Sequence, residues 1–388
     1  MAPLGLRRPS AARLAAVLVA CGCIAPGSAG GAAGGGAAPT STAACPSAAA
    51  NCACTPAPTP AAAAVPYCFI PDTISPEAQA VLRATAVGAG LDISTPEKVK
   101  ATREAFVQGR VQITERVLQT LFESAVDGTL GGVPSVLGLP RGYGGGRGQL
   151  HGKVLMYLHG GGYVLGSART QWATAGQVAK PLGLQVQGVD FRVAPEHAYP
   201  AALDDAVAAY RALLASHPPK DIALLGDSAG GGLALALLLR LKREGLPQPA
   251  AAVLCSPWVE LTKQGDTQTT LTGVDPILQY EKKLYASALA YVGGDESKLT
   301  DPLVSPLRAD FTIASAGQLP PILIQVGLRD TFLSNAARLY RKLVKAGQPA
   351  KFSPWEGMWH VFQAWLDVPE AREATAEAAA FLAAHMAR

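Results

Sequence analysis

The stretch that decides the fold is Gly-Asp-Ser-Ala-Gly at residues 226–230, a G-x-S-x-G motif. A short apolar run at 222–225 precedes it, and a helix-forming run at 233–243 follows it. A strand that meets a helix through so tight a turn strains the central residue, and glycine on either side removes Cβ atoms that would clash. We therefore predict a strand, a turn and a helix that present the Ser228 hydroxyl as a nucleophile. The alternative is a glycine-rich connection with a buried serine.

The composition indicates a globular catalytic domain with additional segments. The 388 residues are 49% hydrophobic and 6% aromatic, and the formal net charge is +4. Three of the positive charges, Arg7, Arg8 and Arg13, lie in a predicted leader, and their removal leaves +1. Because the sequence has no dense stripe of Lys and Arg, we predict no nucleic-acid partner.

Residues 1–20 have the pattern of a signal peptide, in which arginines are followed by an apolar run too short to span a bilayer. Leu-Val-Ala-Cys at 18–21 resembles the lipobox of bacterial lipoproteins, whose cysteine is lipidated. We therefore expect Cys21 to carry a lipid and the protein to be exported, either anchored in a bacterial envelope or secreted or periplasmic. Cleavage at a later small residue and an unprocessed tail remain alternatives.

Residues 21–69 are interpreted as a disordered tether rich in Ala, Pro and Gly. The segment has almost no bulky side chains, so it cannot bury enough apolar surface to offset the entropy of ordering. Six of the seven cysteines lie in it, at positions 21, 23, 45, 52, 54 and 68. If Cys21 is lipidated an odd number remains, and the disulfide connectivity cannot be read. Cys255 falls in a predicted core strand, where we expect an inert buried thiol.

Residues 70–135 are interpreted as a helical cap. Ser-Pro-Glu at 75–77 and Thr-Pro-Glu at 95–97 each combine a capping hydroxyl, a proline in the first turn and an acid that favours the helix dipole. Apolar residues then recur at helical spacing from about 97 to 126. These helices are predicted to cover the mouth of a site; packing at the back of the domain is the alternative.

Residues 136–388 are interpreted as the catalytic domain, in which apolar strands alternate with helices. Strands are predicted at 154–158, 184–189, 222–225, 251–255, 322–326 and 351–354, and helices near 170–180, 201–215, 233–243, 334–345 and 371–387. This alternation predicts an α/β fold with a mostly parallel central sheet and helices on both faces. Ligands bind such sheets at the carboxyl ends of the strands, where Ser228 is expected.

A second glycine-rich motif, His-Gly-Gly-Gly-Tyr at 159–163, directly follows the first of these strands. Acyl transfer builds negative charge on a carbonyl oxygen, and pre-oriented backbone N–H groups can stabilise that charge. Successive glycines let the backbone approach a substrate closely. We predict an oxyanion hole formed by the N–H groups of Gly161, Gly162 and Ala229.

The first two residues of this motif, His159 and Gly160, are assigned a supporting role. A histidine that opens such a loop is expected to brace it by hydrogen bonding, although His159 as the base is an alternative. A phosphate-binding loop is disfavoured because no Lys-Ser or Lys-Thr pair follows the glycines.

Together these motifs resemble the hormone-sensitive-lipase-like branch of the α/β-hydrolase fold, which includes many bacterial carboxylesterases. The resemblance rests on HGGGY at 159–163, GDSAGG at 226–231, DFRVAPEHAYPA at 190–201, SPWVELT at 256–262 and DPLVSP at 301–306. Glu260 stands where the branch usually has Asp. The match covers roughly residues 70–388 and excludes the tether.

The fold orders its triad as serine, acid and histidine along the chain. Asp330 follows the predicted strand at 322–326 and matches the acidic position of the branch. Asp310 precedes that strand and Glu356 follows the next one, so both are less well placed. No metal or cofactor is expected.

His360, in Gly-Met-Trp-His-Val-Phe at 357–362, lies before the final helix and matches the G-x-x-H-x-F pattern of the branch. His217 and His385 are less suited, since one precedes the nucleophile strand and the other lies inside the last helix.

The resemblance implies a serine carboxylesterase that acts on short- to medium-chain esters, with lactones or amides as alternative substrates. Two other classes remain: a non-catalytic small-molecule binding protein on this scaffold, and a surface lipoprotein that serves adhesion or assembly. The expected partner is a small-molecule ester, and membrane contact is expected only through the lipid anchor. The natural ester and the oligomeric state cannot be read from the sequence.

Overall fold

The computed structural model describes residues 69–84, 93–146, 148–278 and 284–387. The predicted signal peptide, Cys21 and the tether up to residue 68 lie outside these ranges. The strands are β1 Phe122–Leu130, β2 Val133–Pro140, β3 Val154–Leu158, β4 Gln185–Val189, β5 Ile222–Asp227, β6 Ala251–Cys255, β7 Ile322–Gly327 and β8 Ala350–Trp355.

The first two described α-helices begin at the predicted capping residues, Ser75 and Thr95. Ser75 Oγ accepts a hydrogen bond from the Ala78 N–H at 3.1 Å, and the Thr95 side chain caps the second helix. None of the helices in the described ranges is long and apolar enough to cross a membrane. The helices are α1 Pro76–Ala84, α2 Pro96–Leu121, α3 Ala168–Gln171, α4 Ala173–Ala179, α5 Ala201–Leu214, α6 Ala229–Arg243, α7 Thr267–Thr270, α8 Tyr285–Tyr291, α9 Ile313–Ala316, α10 Leu333–Lys345 and α11 Pro369–Met386.

The eight strands form one sheet in the order β1-β2-β4-β3-β5-β6-β7-β8. Strands β3 to β8 are parallel to one another, whereas β1 pairs antiparallel with β2, and β2 pairs antiparallel with β4. Every residue of β3, β5, β6 and β7 is buried, as expected for parallel strands covered on both faces. The predicted α/β-hydrolase architecture is confirmed.

The two faces of the sheet are covered by different helices. On β5, Leu224 points into a core built with α5, α6 and α10, whereas Ala223 and Leu225 point into one built with α4, α11 and the end of α2. Successive side chains on a strand point to opposite faces, so one apolar run supplies both cores. Strand β5, which leads into Ser228, is thus fixed from both sides.

The helix predicted from about 97 to 126 ends earlier, at Leu121, and the chain continues as the hairpin β1–β2. The predicted boundary of the cap at 135 falls inside β2, so the cap is helical only to Leu121. Phe122, counted as helical, begins β1 and stacks on Trp172 with ring centroids 4.2 Å apart. Most of β1 is at least partly exposed, so its sequence carries no clear apolar alternation that would indicate a strand.

Candidate active site

Ser228 lies between the last residue of β5 and the first of α6, with φ 55° and ψ −122°. This positive-φ conformation is costly for a residue that has a Cβ atom. A Cβ on Gly226 would lie 2.2 Å from the Gly230 carbonyl oxygen, and one on Gly230 would lie 2.0 Å from the Leu158 carbonyl oxygen. Glycine is therefore required on both sides, and the strained strand-turn-helix predicted from the motif is present.

Backbone hydrogen bonds from β6 and the loop after it hold the strained turn. The Ser228 N–H donates to the Cys255 carbonyl at 2.9 Å, and the Ser228 carbonyl accepts from the Trp258 N–H at 2.9 Å. Strained conformations persist where the surrounding structure over-determines them. The turn is thus rigidly placed at the carboxyl edge of the sheet.

Two of the other predicted residues meet at that same edge. Asp330 follows β7 and is fully buried, and His360 follows β8 and is 6% exposed. His360 Nδ1 lies 3.1 Å and 3.2 Å from the two carboxylate oxygens of Asp330. Because a carboxylate only accepts, the imidazole proton lies on Nδ1, which leaves Nε2 able to accept a proton.

The carboxylates around His360 set its basicity. Burial alone would lower the pKa of His360, but the charge and hydrogen bond of Asp330 and the charges of Asp275 and Asp227 outweigh it, so the pKa lies above its ordinary value. The Phe332 ring and the imidazole are nearly perpendicular, with centroids 5.1 Å apart. This environment favours the imidazolium form that proton abstraction creates.

Ser228 Oγ makes no hydrogen bond to His360 or to any other residue in the described ranges. Hydrogen bonds of this kind are often long without substrate and tighten in the Michaelis complex. The structure therefore places the serine and the imidazole at one edge of the sheet and directly pairs only the imidazole and Asp330.

The glycine loop after β3 lies against the serine turn. A Cβ on Gly160 would lie 3.2 Å from Ser228 Cβ. Gly161 and Gly162 have φ of 105° and 63°, which other residues rarely adopt. Among the described residues, no acceptor is assigned to the N–H groups of Gly161, Gly162 or Ala229. These N–H groups are therefore able to donate to a ligand, and the oxyanion hole stays a prediction.

His159 is buried beneath this loop. Its Nδ1 lies 2.7 Å from the Gly160 carbonyl oxygen, to which Gln171 also donates at 3.0 Å, and its ring stacks on Phe191 at 4.2 Å. Burial lowers the pKa of His159. These contacts connect His159 with the loop, and the supporting role of His159 and Gly160 stays a prediction.

The alternative acids and bases lie elsewhere. Asp310 and Glu356 are exposed, and Asp310 accepts from Thr312 at the start of α9. His217 contacts Ser216 Oγ on the surface, and His385 lies inside α11. In the described part of the chain, none of these four residues is hydrogen-bonded to Ser228, Asp330 or His360.

Two buried carboxylates that the sequence reasoning did not assign lie beside the predicted site. Asp227 Oδ1 accepts from the Tyr157 hydroxyl at 2.6 Å, and burial raises the pKa of Asp227 to about 6 against the opposing effect of that bond. One carboxylate oxygen of Asp275, one of Asp330 and one ring nitrogen of His360 all lie within 4.8 Å of one another. Asp275 lies before a proline in an unremarkable loop, and no sequence signal connects it with Asp330.

The cap is tied to the loops of the site by charge-assisted bonds. Arg103 of α2 donates to the Val164 carbonyl at 2.8 Å, just beyond the glycine loop, and to the Ala194 carbonyl at 2.7 Å. It also forms an ion pair with Glu196 at 2.7 Å. Helix α2 is thus attached to the segment that follows the glycine loop, and its role as a cap over a site stays a prediction.

Residues 155–364 match the α/β hydrolase fold family. The chain is 41% identical over 233 residues to an acetyl-hydrolase of Streptomyces hygroscopicus. This match covers 60% of this chain and 75% of that protein. It is 38% identical over 233 residues to an esterase of Acinetobacter venetianus, covering 59% of this chain and 74% of that protein.

A solved structure also shares the architecture and carries the name of the predicted branch. The crystal structure of an esterase from the bacterial hormone-sensitive lipase family has a TM-score of 0.66 and 36% identity, and covers 76% of this chain and 94% of that one. The chain therefore belongs to the α/β-hydrolase fold family, in its hormone-sensitive-lipase-like branch.

Proposed function

We propose that this carboxylic-ester hydrolase cleaves short- to medium-chain esters through Ser228, Asp330 and His360 and an acyl-enzyme intermediate. The observation that carries the proposal is the bond between His360 Nδ1 and the buried Asp330 carboxylate, at the sheet edge where Ser228 occupies its strained turn. Relatives named esterase and acetyl-hydrolase support an ester as substrate. The limit on acyl length rests on the family resemblance.

The mechanism follows from these positions. His360 Nε2 takes the Ser228 proton as Oγ attacks the ester carbonyl carbon. Asp330 holds the Nδ1–H and stabilises the imidazolium. Collapse of the tetrahedral intermediate expels the alcohol, which His360 protonates, and leaves the acyl group on Oγ. Water then attacks the acyl-enzyme with the same assistance and releases the acid.

The negative oxygen of each tetrahedral intermediate is stabilised by the N–H groups of Gly161, Gly162 and Ala229. Because Ala229 is the first residue of α6, the positive end of that helix dipole adds to the effect. Losing one such donor typically costs about 3–4 kcal/mol in the transition state.

Other functions on this scaffold are distinguishable. Hydrolysis of a lactone or an amide uses the same groups and is the alternative for the substrate class. A binding protein without catalysis, or a lipoprotein with a purely adhesive role, would not need Ser228, Asp330 and His360 together.

A serine-directed organophosphonate probe tests the proposal. We expect a single adduct on Ser228 and parallel loss of activity on a panel of esters that varies acyl length and alcohol bulk. The same panel should contain a lactone and an anilide, which test the alternative substrates. A folded protein that is not labelled at Ser228 would contradict the nucleophile assignment and favour a binding role.

The predicted oxyanion loop gives a second test, Gly162→Ala. The φ of 63° is strained for alanine, and the new Cβ would lie 3.3 Å from Ser287 Oγ, so the N–H should move away from the oxyanion. We expect kcat to fall by about 10- to 100-fold with little change in KM, since small misplacements of reacting groups can cost about 10².

The matched control is Gly152→Ala, which places the same strain at φ 85° where no atom lies within 4 Å of the added Cβ. Both variants should lose similar stability in thermal unfolding, but only Gly162→Ala should lose turnover. Equal kcat in the two variants would remove Gly162 from the proposed oxyanion hole.

We further propose that the protein is exported and lipidated at Cys21. This proposal rests only on the signal-peptide pattern at residues 1–20 and the lipobox-like sequence at 18–21. The first described residues lie beside the His360 loop, where Ile74 packs against Gly357 and the Phe69 carbonyl accepts a hydrogen bond from Arg329. A cut after residue 68 therefore leaves these contacts intact. We expect the 69–388 chain to be soluble and active and the full chain to be membrane-associated and extractable with detergent, since several acyl chains give stable anchoring.

Mass spectrometry of the mature N-terminus measures the modification directly. Cys21→Ala should release the enzyme from membranes, whereas the neighbouring Cys23→Ala should not. An unmodified N-terminus that begins elsewhere, together with a membrane-bound Cys21→Ala variant, would rule out lipidation as the anchor.

A further inference from the structure

We propose that Asp275 is a positioning residue for the Asp330–His360 pair, holding the turn that carries Asp330 and placing a second negative charge beside the imidazole. The proposal rests on the proposed function, because it concerns the base of that reaction. It assigns a role to a buried carboxylate that the mechanism above does not use.

The Asp275 carboxylate accepts hydrogen bonds from backbone N–H groups, whereas the Asp330 carboxylate contacts the ring of His360. Asp275 Oδ2 accepts from the Thr331 N–H at 3.0 Å, across 56 positions of sequence. Its Oδ1 accepts from the N–H groups of Ile277 at 2.8 Å and Leu278 at 3.2 Å. Each oxygen is thus engaged by backbone. Because Thr331 directly follows Asp330, the Thr331 bond fixes the turn from which Asp330 reaches His360.

Charge provides the second half of the role. Asp275 is fully buried, and one of its carboxylate oxygens lies within 4.8 Å of a carboxylate oxygen of Asp330 and of a ring nitrogen of His360. Two carboxylates so close repel each other, and a positive imidazolium beside them relieves that repulsion. Burial and the neighbouring Asp330 raise the pKa of Asp275 to about 6. At a pH above that value Asp275 is negatively charged, and its charge favours protonation of His360.

In the described part of the chain, three carboxylates act on the charge of His360, and they belong to Asp330, Asp275 and Asp227. Removing the charge of Asp275 leaves Asp330 and Asp227 in place and lowers the pKa of His360. Turnover requires neutral His360 and is lost as pH falls through its pKa. The acid limb of the pH–activity curve should therefore move to lower pH in Asp275→Asn, by about one unit for a charge at this distance.

The experiment compares the pH dependence of kcat/KM in the wild type, Asp275→Asn and Asp275→Glu. We expect Asp275→Asn to shift the acid limb to lower pH and to reduce the plateau several-fold, since a weaker base abstracts the proton less readily. Asp275→Glu keeps the charge and should keep the limb near its wild-type position. Asp310→Asn, which removes an exposed carboxylate by the same substitution, is the matched control and should leave the curve unchanged.

A titration of the His360 ring by NMR, assigned with His360→Ala, reports the pKa without turnover. An active, folded Asp275→Asn with an unmoved limb and an unmoved His360 titration would overturn the proposal. If Asp275→Asn fails to fold, the decision rests on Asp275→Glu, which keeps the negative charge. An acid limb that moves about one unit to lower pH in Asp275→Glu would overturn the proposal, and an acid limb at its wild-type position would support it. Wild-type protein inactive on every ester would instead defeat the proposed function.

Discussion

Replacement of Ser228 by alanine is expected to abolish ester turnover and leave the fold intact. The hydroxyl is the attacking atom, and loss of the serine of a triad costs about 10⁶-fold in kcat. The Cβ atom that strains the turn is still present in alanine, and the hydroxyl makes no hydrogen bond among the described residues, so stability should change little. The measurement is kcat on the best ester, with thermal unfolding as the check of folding.

Ser135 supplies the matched control, because it is a buried serine on β2 and lies outside the proposed site. Ser135→Ala should retain turnover. Turnover that persists in a pure, folded Ser228→Ala variant would remove Ser228 as the nucleophile and end the proposed mechanism.

Asp330→Asn is expected to reduce kcat by about 10⁴-fold, the loss found when the acid of a triad becomes an amide. An amide can donate toward His360 Nδ1, which favours the tautomer whose proton lies on Nε2 and cannot accept the Ser228 proton. The amide oxygen can still accept from the Phe332 N–H, which donates to Asp330 at 2.8 Å, so the fold should survive. The pH dependence of the residual activity should also change, since His360 loses its nearest counter-charge.

Glu356→Gln is the control for this substitution, because Glu356 was the alternative acid after β8 and is exposed. We expect it to retain wild-type kcat. A crippled Glu356→Gln together with a mild Asp330→Asn would mean that the acid has been assigned to the wrong residue.

The parts of the site that were predictable are those built by neighbouring residues. The serine turn follows from glycines two positions on either side of Ser228, and the contacts that exclude a Cβ at Gly226 and Gly230 are made within a few residues or with the adjacent strand. The glycine loop likewise follows β3 directly. In both cases steric contacts require glycine, so the glycine positions can be recognised directly in the sequence.

The hairpin β1–β2 shows why other parts were not predictable. Helical spacing was extended to about 126, yet the chain leaves the helix at Leu121 and pairs with a strand that follows it. The choice depends on the partner strand and on the stacking of Phe122 against Trp172, 50 residues later, and neither is a property of the segment itself. An edge strand with mostly exposed side chains gives periodicity little to detect.

The sequence by itself determined the class of fold, the strained serine and the chain order of the proposed nucleophile, acid and base, because these depend on local sterics and on a regular alternation of strands and helices. The sequence also singled out Asp330 and His360, but only the tertiary structure decided that their side chains are in hydrogen-bonding contact and that Asp275 lies beside them. Those relationships depend on which loops meet at the carboxyl edge of β7 and β8. A buried carboxylate acquires its pKa from neighbours distant in sequence, so the chemistry of this site is set by packing that no local pattern records.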